Sequence, residues 1–195
     1  MKRAQARAAR NRRITIGSII GAAGLIVVLV IVFVVTGAGS APAPVATQAD
    51  GVQTFTGLSR NHVSGTVTYA QVPPVGGDHN PVWINCGVYD QPVPKENAVH
   101  DLEHGAVWVT YDASQVTGDQ LTRLRAALPS TYVVLSPFVG LPSPVVASAW
   151  GAQIQLTGVD DTRLADFLKT YWQSASSPEP GAACTGGLTP PGLVT

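Results

Sequence analysis

Hydrophobic side chains are arranged along this 195-residue chain in three different ways. Residues 14–36 form an uncharged run dominated by Ile, Val, Leu and Phe. As a helix rising about 1.5 Å per residue, 23 such residues reach roughly 35 Å, enough to cross a hydrocarbon core of about 30 Å with every backbone group paired internally. A single transmembrane helix is predicted there. Cleaved signal peptides carry a shorter apolar region, about 7–15 residues, so an uncleaved anchor fits better, although small residues at 37–41 offer a cleavage point. Residues 37–59 break the pattern. They are rich in Ala, Pro, Gly, Thr and Ser and predict a flexible spacer.

From about Arg60 onward the pattern becomes that of a folded domain, residues 60–195. Alternation over 63–69 predicts a half-buried strand, and 83–89 a short one. Between them, residues 73–81 hold two prolines, two glycines and a third proline, which predicts an ordered irregular loop. Residues 96–104 predict one or two helical turns stopped by Gly105. A buried strand is expected over 106–111, residues 132–135 are a β-branched run, and two further strands are expected over 145–150 and 153–156 with Gly151 between them. Thr117 with Gln120 reads as a capping box for a helix with Leu121, Leu124 and Leu128 on one side. Asp160 is expected to cap a second, amphipathic helix, whose Leu164, Phe167, Leu168 and Tyr171 repeat with helical spacing. The tail from Ser174 is Pro/Gly-rich. The expected fold class is α+β: a mostly antiparallel sheet with two helices packed on it, preceded by one transmembrane helix.

Charge changes this picture by orienting it. Formal charge is zero overall, but six of the twelve basic residues fall within residues 1–13, which contain no acid. The positive-inside rule then keeps that tail in the cytoplasm and exports the domain. Beyond residue 40, six bases face twelve acids, a formal −6. Such a domain lacks the basic face that nucleic-acid phosphates require, so a nucleic-acid partner is not expected. The expected associations are with the membrane and with an envelope protein that the sequence does not identify.

Both cysteines, Cys86 and Cys184, fall in the exported part, where a structural disulfide is expected. Soft metal ligation or redox activity is the alternative, without a CxxC to support it.

The chain owns four histidines, His62, His79, His100 and His104, and none in the 91 residues that follow. Imidazole suits Zn, Cu, Fe and Ni. In His100-Asp-Leu-Glu103-His104, a helix would set the two histidines one turn apart on a single face. Glu103 is then a further ligand or acts on a bound water. His79, on the stiff loop, is a third nitrogen donor, and His62 a fourth. A copper or zinc ion is the expected cofactor. Absence of methionine beyond Met1 argues against a thioether-rich Cu(I) carrier. The same segment matches the HxxEH pattern of inverted zinc proteases, with Glu103 as general base. That reading needs a further acidic ligand, and Glu179 is the only glutamate downstream. No Gly-x-Ser-x-Gly is present. Trp108 and Trp150 are expected in the core; Trp83 either joins them or walls a pocket.

One resemblance gathers these features. A His before a strand, Pro73-Pro74 leading to Gly-Gly-x-His79, Cys86-Gly-x-Tyr89, Val99-His-x-Leu-Glu-His-Gly105 and Ala149-Trp-Gly151 resemble the bacterial domain of unknown function 3105 family. It comprises small exported or membrane-anchored proteins frequent in actinobacteria. The resemblance spans roughly residues 60–191 and implies no reaction. Three functions remain open: metal binding in the envelope without catalysis, which is favoured; a structural or interaction module without metal; and a zinc hydrolase.

Overall fold

The computed structural model describes residues 46–194. The predicted cytoplasmic tail, the transmembrane helix and the first part of the spacer lie outside those residues. Among the described residues, no helix is long and apolar enough to cross a membrane.

Eight strands form one mixed sheet: β1 (Ala46–Thr47), β2 (Gln53–Thr54), β3 (Gly87–Tyr89), β4 (Val107–Tyr111), β5 (Val133–Pro137), β6 (Val145–Ala149), β7 (Ala152–Leu156) and β8 (Leu193–Val194). Their spatial order is β1-β2-β7-β6-β4-β5-β3-β8. β4 runs parallel to β5, and β5 parallel to β3; the other five pairings are antiparallel. Among the described residues there are three helices: α1 (Lys95–Glu103), α2 (Gly118–Ala126) and α3 (Arg163–Tyr171). The class is α+β as expected, with one helix more than the two predicted.

β4, β5 and β6 are buried along their whole lengths, as β-branched strands covered on both faces should be. The connectivity explains why. The step from β3 to β4 through α1 and the step from β4 to β5 through α2 move in opposite directions along the sheet. Right-handed crossovers taken in opposite directions put their helices on opposite faces, and the packing agrees. Leu124 of α2 and Leu164, Phe167 and Leu168 of α3 join Val107, Val109, Leu135 and Ile154 in one core. Ala98 and Leu102 of α1 join Ile84, Tyr89, Trp108 and Val134 in another.

Several local expectations are corrected. Residues 63–69 form no strand. Their alternation survives only as half-burial of Val63, Val67 and Tyr69, because the segment is tied down by side chains: Val67 N–H donates to Glu96 Oε1 at 2.9 Å and the Tyr69 hydroxyl to the Asp78 carbonyl at 2.7 Å. The spacer was expected to be flexible to residue 59, yet β1 and β2 extend the sheet and Val52 and Phe55 are buried. Neither predicted cap forms. Thr117 and Thr162 occupy the N-cap positions without a side-chain cap bond. Asp160 pairs with Arg123 instead, at 2.9 Å, while Asp161 accepts from the Arg163 N–H. The tail is ordered by the Cys86–Cys184 disulfide and by β8 on β3.

Candidate metal centre

α1 is short on apolar residues, yet Asn97 through Glu103 are all buried. Ala98 and Leu102 face the sheet; the polar residues between them must find partners inside the protein, because an unpaired buried polar group is costly. Asp101 accepts the Ile84 N–H at 3.1 Å, and burial raises its carboxyl well above the usual carboxylate range. The helix stops where expected, with Gly105 at φ +95°.

The loop preceding α1 supplies the next donor. A Cβ on Gly76 (φ +140°) would lie 2.8 Å from Leu58 and 3.2 Å from the Trp150 indole, so only glycine lets this loop close against the sheet end. That closure carries His79 into the interior, fully buried. Its backbone then holds a neighbouring segment: Val63 N–H donates to the His79 carbonyl at 2.8 Å and His79 N–H to the Asn61 carbonyl at 3.0 Å. This one-residue parallel bridge sets His62 beside His79.

His62, His79, His100 and Glu103 each offer a ligand atom, and those atoms all lie within 4.8 Å of one another. Rings of His62, His79 and His100 are mutually 4.9 Å apart. His79 Nε2 is 2.9 Å and His62 Nε2 3.6 Å from Glu103 Oε2. His79, His100 and Glu103 are buried, whereas the His62 side chain is 45% exposed.

Backbone carbonyls set the tautomers. His79 Nδ1 lies 2.7 Å from the Gly77 carbonyl, His100 Nδ1 2.7 Å from that of Asn80, and His104 Nδ1 2.6 Å from that of Ala183. A carbonyl only accepts, so each Nδ1 is the donor in these contacts and each Nε2 is the ring nitrogen left for another partner. This is the arrangement in which a second partner orients a metal-ligating imidazole. Burial pushes the His100 imidazole down to about 4; the Asn80 carbonyl opposes this and the neighbouring His104, His79 and His62 add to it. That nitrogen is therefore unprotonated and available at neutral pH.

His104 stands apart from the four. As the C-cap of α1 it sets its ring 4.5 Å from that of His100, but its Nε2 faces Glu179 Oε2 at 3.7 Å. Trp83 lies against His100 and His104, at 5.7 and 5.2 Å between ring centroids, and so walls the site. Trp150, expected in the core, is partly buried against the α1-side core and sits at the β6–β7 turn, its ring centroid 5.8 Å from that of His79 in a T-shaped contact. Trp108 is core, its Nε1–H donating to Ser136 Oγ at 3.0 Å. An open groove lined by Arg60, Asn61, His62, Glu103 and Glu179 leads to the cluster. Neither the oriented carbonyls nor the roles of Arg60 and Asn61 carry a sequence signal. Nor does Glu179, which the sequence shows only as the sole downstream glutamate, set in a Pro/Gly-rich tail. The second group of donor residues, Cys86, Cys184 and Asp101, is occupied by the disulfide, and no cysteine is free.

The sequence profile of a family described as "Protein of unknown function (DUF3105)" matches residues 62–186, nearly two thirds of the chain. That span contains all four histidines, Glu103, Glu179 and both cysteines. No curated protein and no solved structure matches the chain.

Proposed function

The chain belongs to the DUF3105 family of proteins of unknown function, and from that premise we propose that it is an extracytoplasmic binding protein for a transition metal ion, zinc or copper(II), held by His62, His79, His100 and Glu103. One observation carries the reading. Within a buried site, His79 Nε2 lies 2.9 Å from the Glu103 carboxylate, while His79 Nδ1 donates to the Gly77 carbonyl. A ring nitrogen and a carboxylate oxygen at that distance share a cation, either a proton on Nε2 or a metal ion that displaces it and keeps both donors. Bonds of about 2.0–2.1 Å at tetrahedral angles set ligand atoms roughly 3.3 Å apart; separations of 2.9 and 3.6 Å to Glu103 bracket that value. The exposed His62 is the ligand free to adjust.

Three imidazoles and a carboxylate suit zinc and copper(II) alike. Thiolate chemistry is unavailable, because both cysteines are in the disulfide. The disulfide also suggests an oxidising compartment; with the apolar run at 14–36 and its basic N-terminal flank, it supports anchoring to a membrane with the domain outside. Binding without catalysis is favoured over hydrolysis, since Glu103 is grouped with the ligands and is not left free to act on water.

Elemental analysis of the full-length chain, purified in mild detergent, tests this. About one equivalent of zinc or copper per chain is expected, in line with a single four-donor centre. His100→Ala should lose the ion; His62→Ala, at an exposed position, should keep the fold and bind more weakly. Wild-type protein that retains no ion after incubation with zinc and copper salts would sink the proposal. Metal-dependent hydrolysis that vanishes in Glu103→Gln while the ion stays bound would reassign Glu103 from ligand to base.

A further inference from the structure

His104 repeats, on a smaller scale, the arrangement of His79. Its Nδ1 donates to a backbone carbonyl, Ala183, at 2.6 Å, and its Nε2 faces a carboxylate, Glu179, at 3.7 Å. The surroundings hold both partners in position. Glu179 N–H donates to the Glu103 carbonyl at 3.0 Å and Gly181 N–H to the His104 carbonyl at 3.1 Å, so the C-terminal segment satisfies the last carbonyls at the end of α1. Cys184, the next residue after Ala183, is bonded to Cys86 and receives the Cys86 N–H on its carbonyl at 2.8 Å. Trp83 covers the His104 ring and ties itself to the same segment through Nε1–H to the Thr185 carbonyl.

The pair differs from the inner cluster in access. His104 is buried, whereas the Glu179 side chain is 53% exposed. Glu179 lines the same groove as His62 and Glu103, and the rings of His104 and His100 are 4.5 Å apart. An ion reaching His79 and His100, both buried, has this groove as its approach, and Glu179 is the carboxylate on the solvent side.

We propose that His104 and Glu179 form a second, outer metal position, from which the ion passes to the inner centre of His62, His79, His100 and Glu103. The inference rests on the metal-binding reading above. A separation of 3.7 Å is close to the roughly 3.3 Å between two donors on one tetrahedral ion, and the remaining positions of an ion held by only two protein ligands belong to water. The outer position is therefore the weaker of the two. Transfer inward is ligand exchange: bonds to His104 and Glu179 break as bonds to the inner donors form, with no change in oxidation state.

Copper(II) titration of the metal-stripped full-length chain, followed by electron paramagnetic resonance, tests the proposal. Wild type should show two successive signals, the first to saturate belonging to the inner centre. Glu179→Gln, a conservative change at an exposed side chain, should keep the inner signal and lose the outer one. It should also slow filling of the inner centre by about tenfold, a typical effect of removing a charge that concentrates a cation at a site. His100→Ala should show the opposite, an outer signal without the inner. A single copper signal in wild type, or Glu179→Gln filling the inner centre at the wild-type rate, would overturn the outer position while leaving the inner centre standing. Absence of the inner signal from wild type would instead remove the reading on which it rests.

Discussion

On one face of the sheet, Leu124, Leu164, Phe167 and Leu168 pack over Val107, Val109, Leu135 and Ile154 in an apolar layer. On the other, α1 sets Ala98 and Leu102 against Trp108 and Val134 and buries His100, Asp101 and Glu103 beside them. The first face is specified by shape and area. The second is specified by directional bonds: His79 to Gly77, His100 to Asn80, His104 to Ala183, and Ile84 to Asp101. Only Arg125 Nε, among buried side-chain nitrogens and oxygens of the described residues, lacks a partner. A fold that needed only stability would repeat the first solution twice, since buried ionisable groups rarely outperform packed aliphatic ones. The difference is why the proposed site is placed on the α1 face.

That contrast can be broken from either side. The largest effect is expected at the disulfide, which stitches the C-terminal segment to the α1 face. Cys86 and Cys184 are 98 residues apart, and the chain-entropy model gives about 4–5 kcal/mol for a loop of that size. Reductant should lower the denaturant midpoint accordingly, and the Cys86→Ser/Cys184→Ser double variant should no longer respond to it. On the aliphatic face, Phe167→Ala should cost about 3–5 kcal/mol in chemical denaturation, yet leave metal affinity of the folded protein unchanged. A matching loss of affinity would mean that the two faces are coupled.

Smaller effects should be confined to the α1 face. Free ion at a hundredfold excess over its dissociation constant should stabilise the protein by about 2.7 kcal/mol, and His100→Ala should abolish that increment. The metal-free protein should also respond to pH. The His100 imidazole is pushed down to about 4 from 6.5, so between those values the unfolded chain binds the proton that the folded one refuses. Stability should be complete above about pH 6.5 and fall by about 1–3 kcal/mol as pH drops towards 4. His100→Gln should flatten this profile; an unchanged one would place the titration elsewhere.

Much of this division was legible in the residues, for identifiable reasons. β4, β5 and β6 announce themselves because β-branched runs such as Val145-Val-Ala are both strand-forming and apolar, and β7 does so by alternation in Gln153-Ile-Gln-Leu156. α3 does so because Leu164, Phe167 and Leu168 keep helical spacing. His62, His79, His100 and Glu103 were recognisable by type and clustering. What stayed hidden depends on partners distant in sequence. β1, β2 and β8 are two-residue strands that exist only because a neighbour offers an edge. Residues 63–69 alternate correctly but meet Glu96 and Asp78 side chains where a strand needs backbone. His104, equivalent to His100 by spacing, is drawn towards Glu179 by the Ala183 carbonyl. Helix periodicity cannot report a bond to a residue 79 positions away.

The two opposed crossovers have one last consequence. β4 and β5 act as a partition a single backbone thick, with Trp108 and Val134 on one side and Val107, Val109 and Leu135 on the other. Donor atoms can be exchanged in the loops and in α1 while the aliphatic layer behind them stays as it is. Such insulation makes the domain a chassis: the proposed ion site could be retuned without renegotiating how the chain folds.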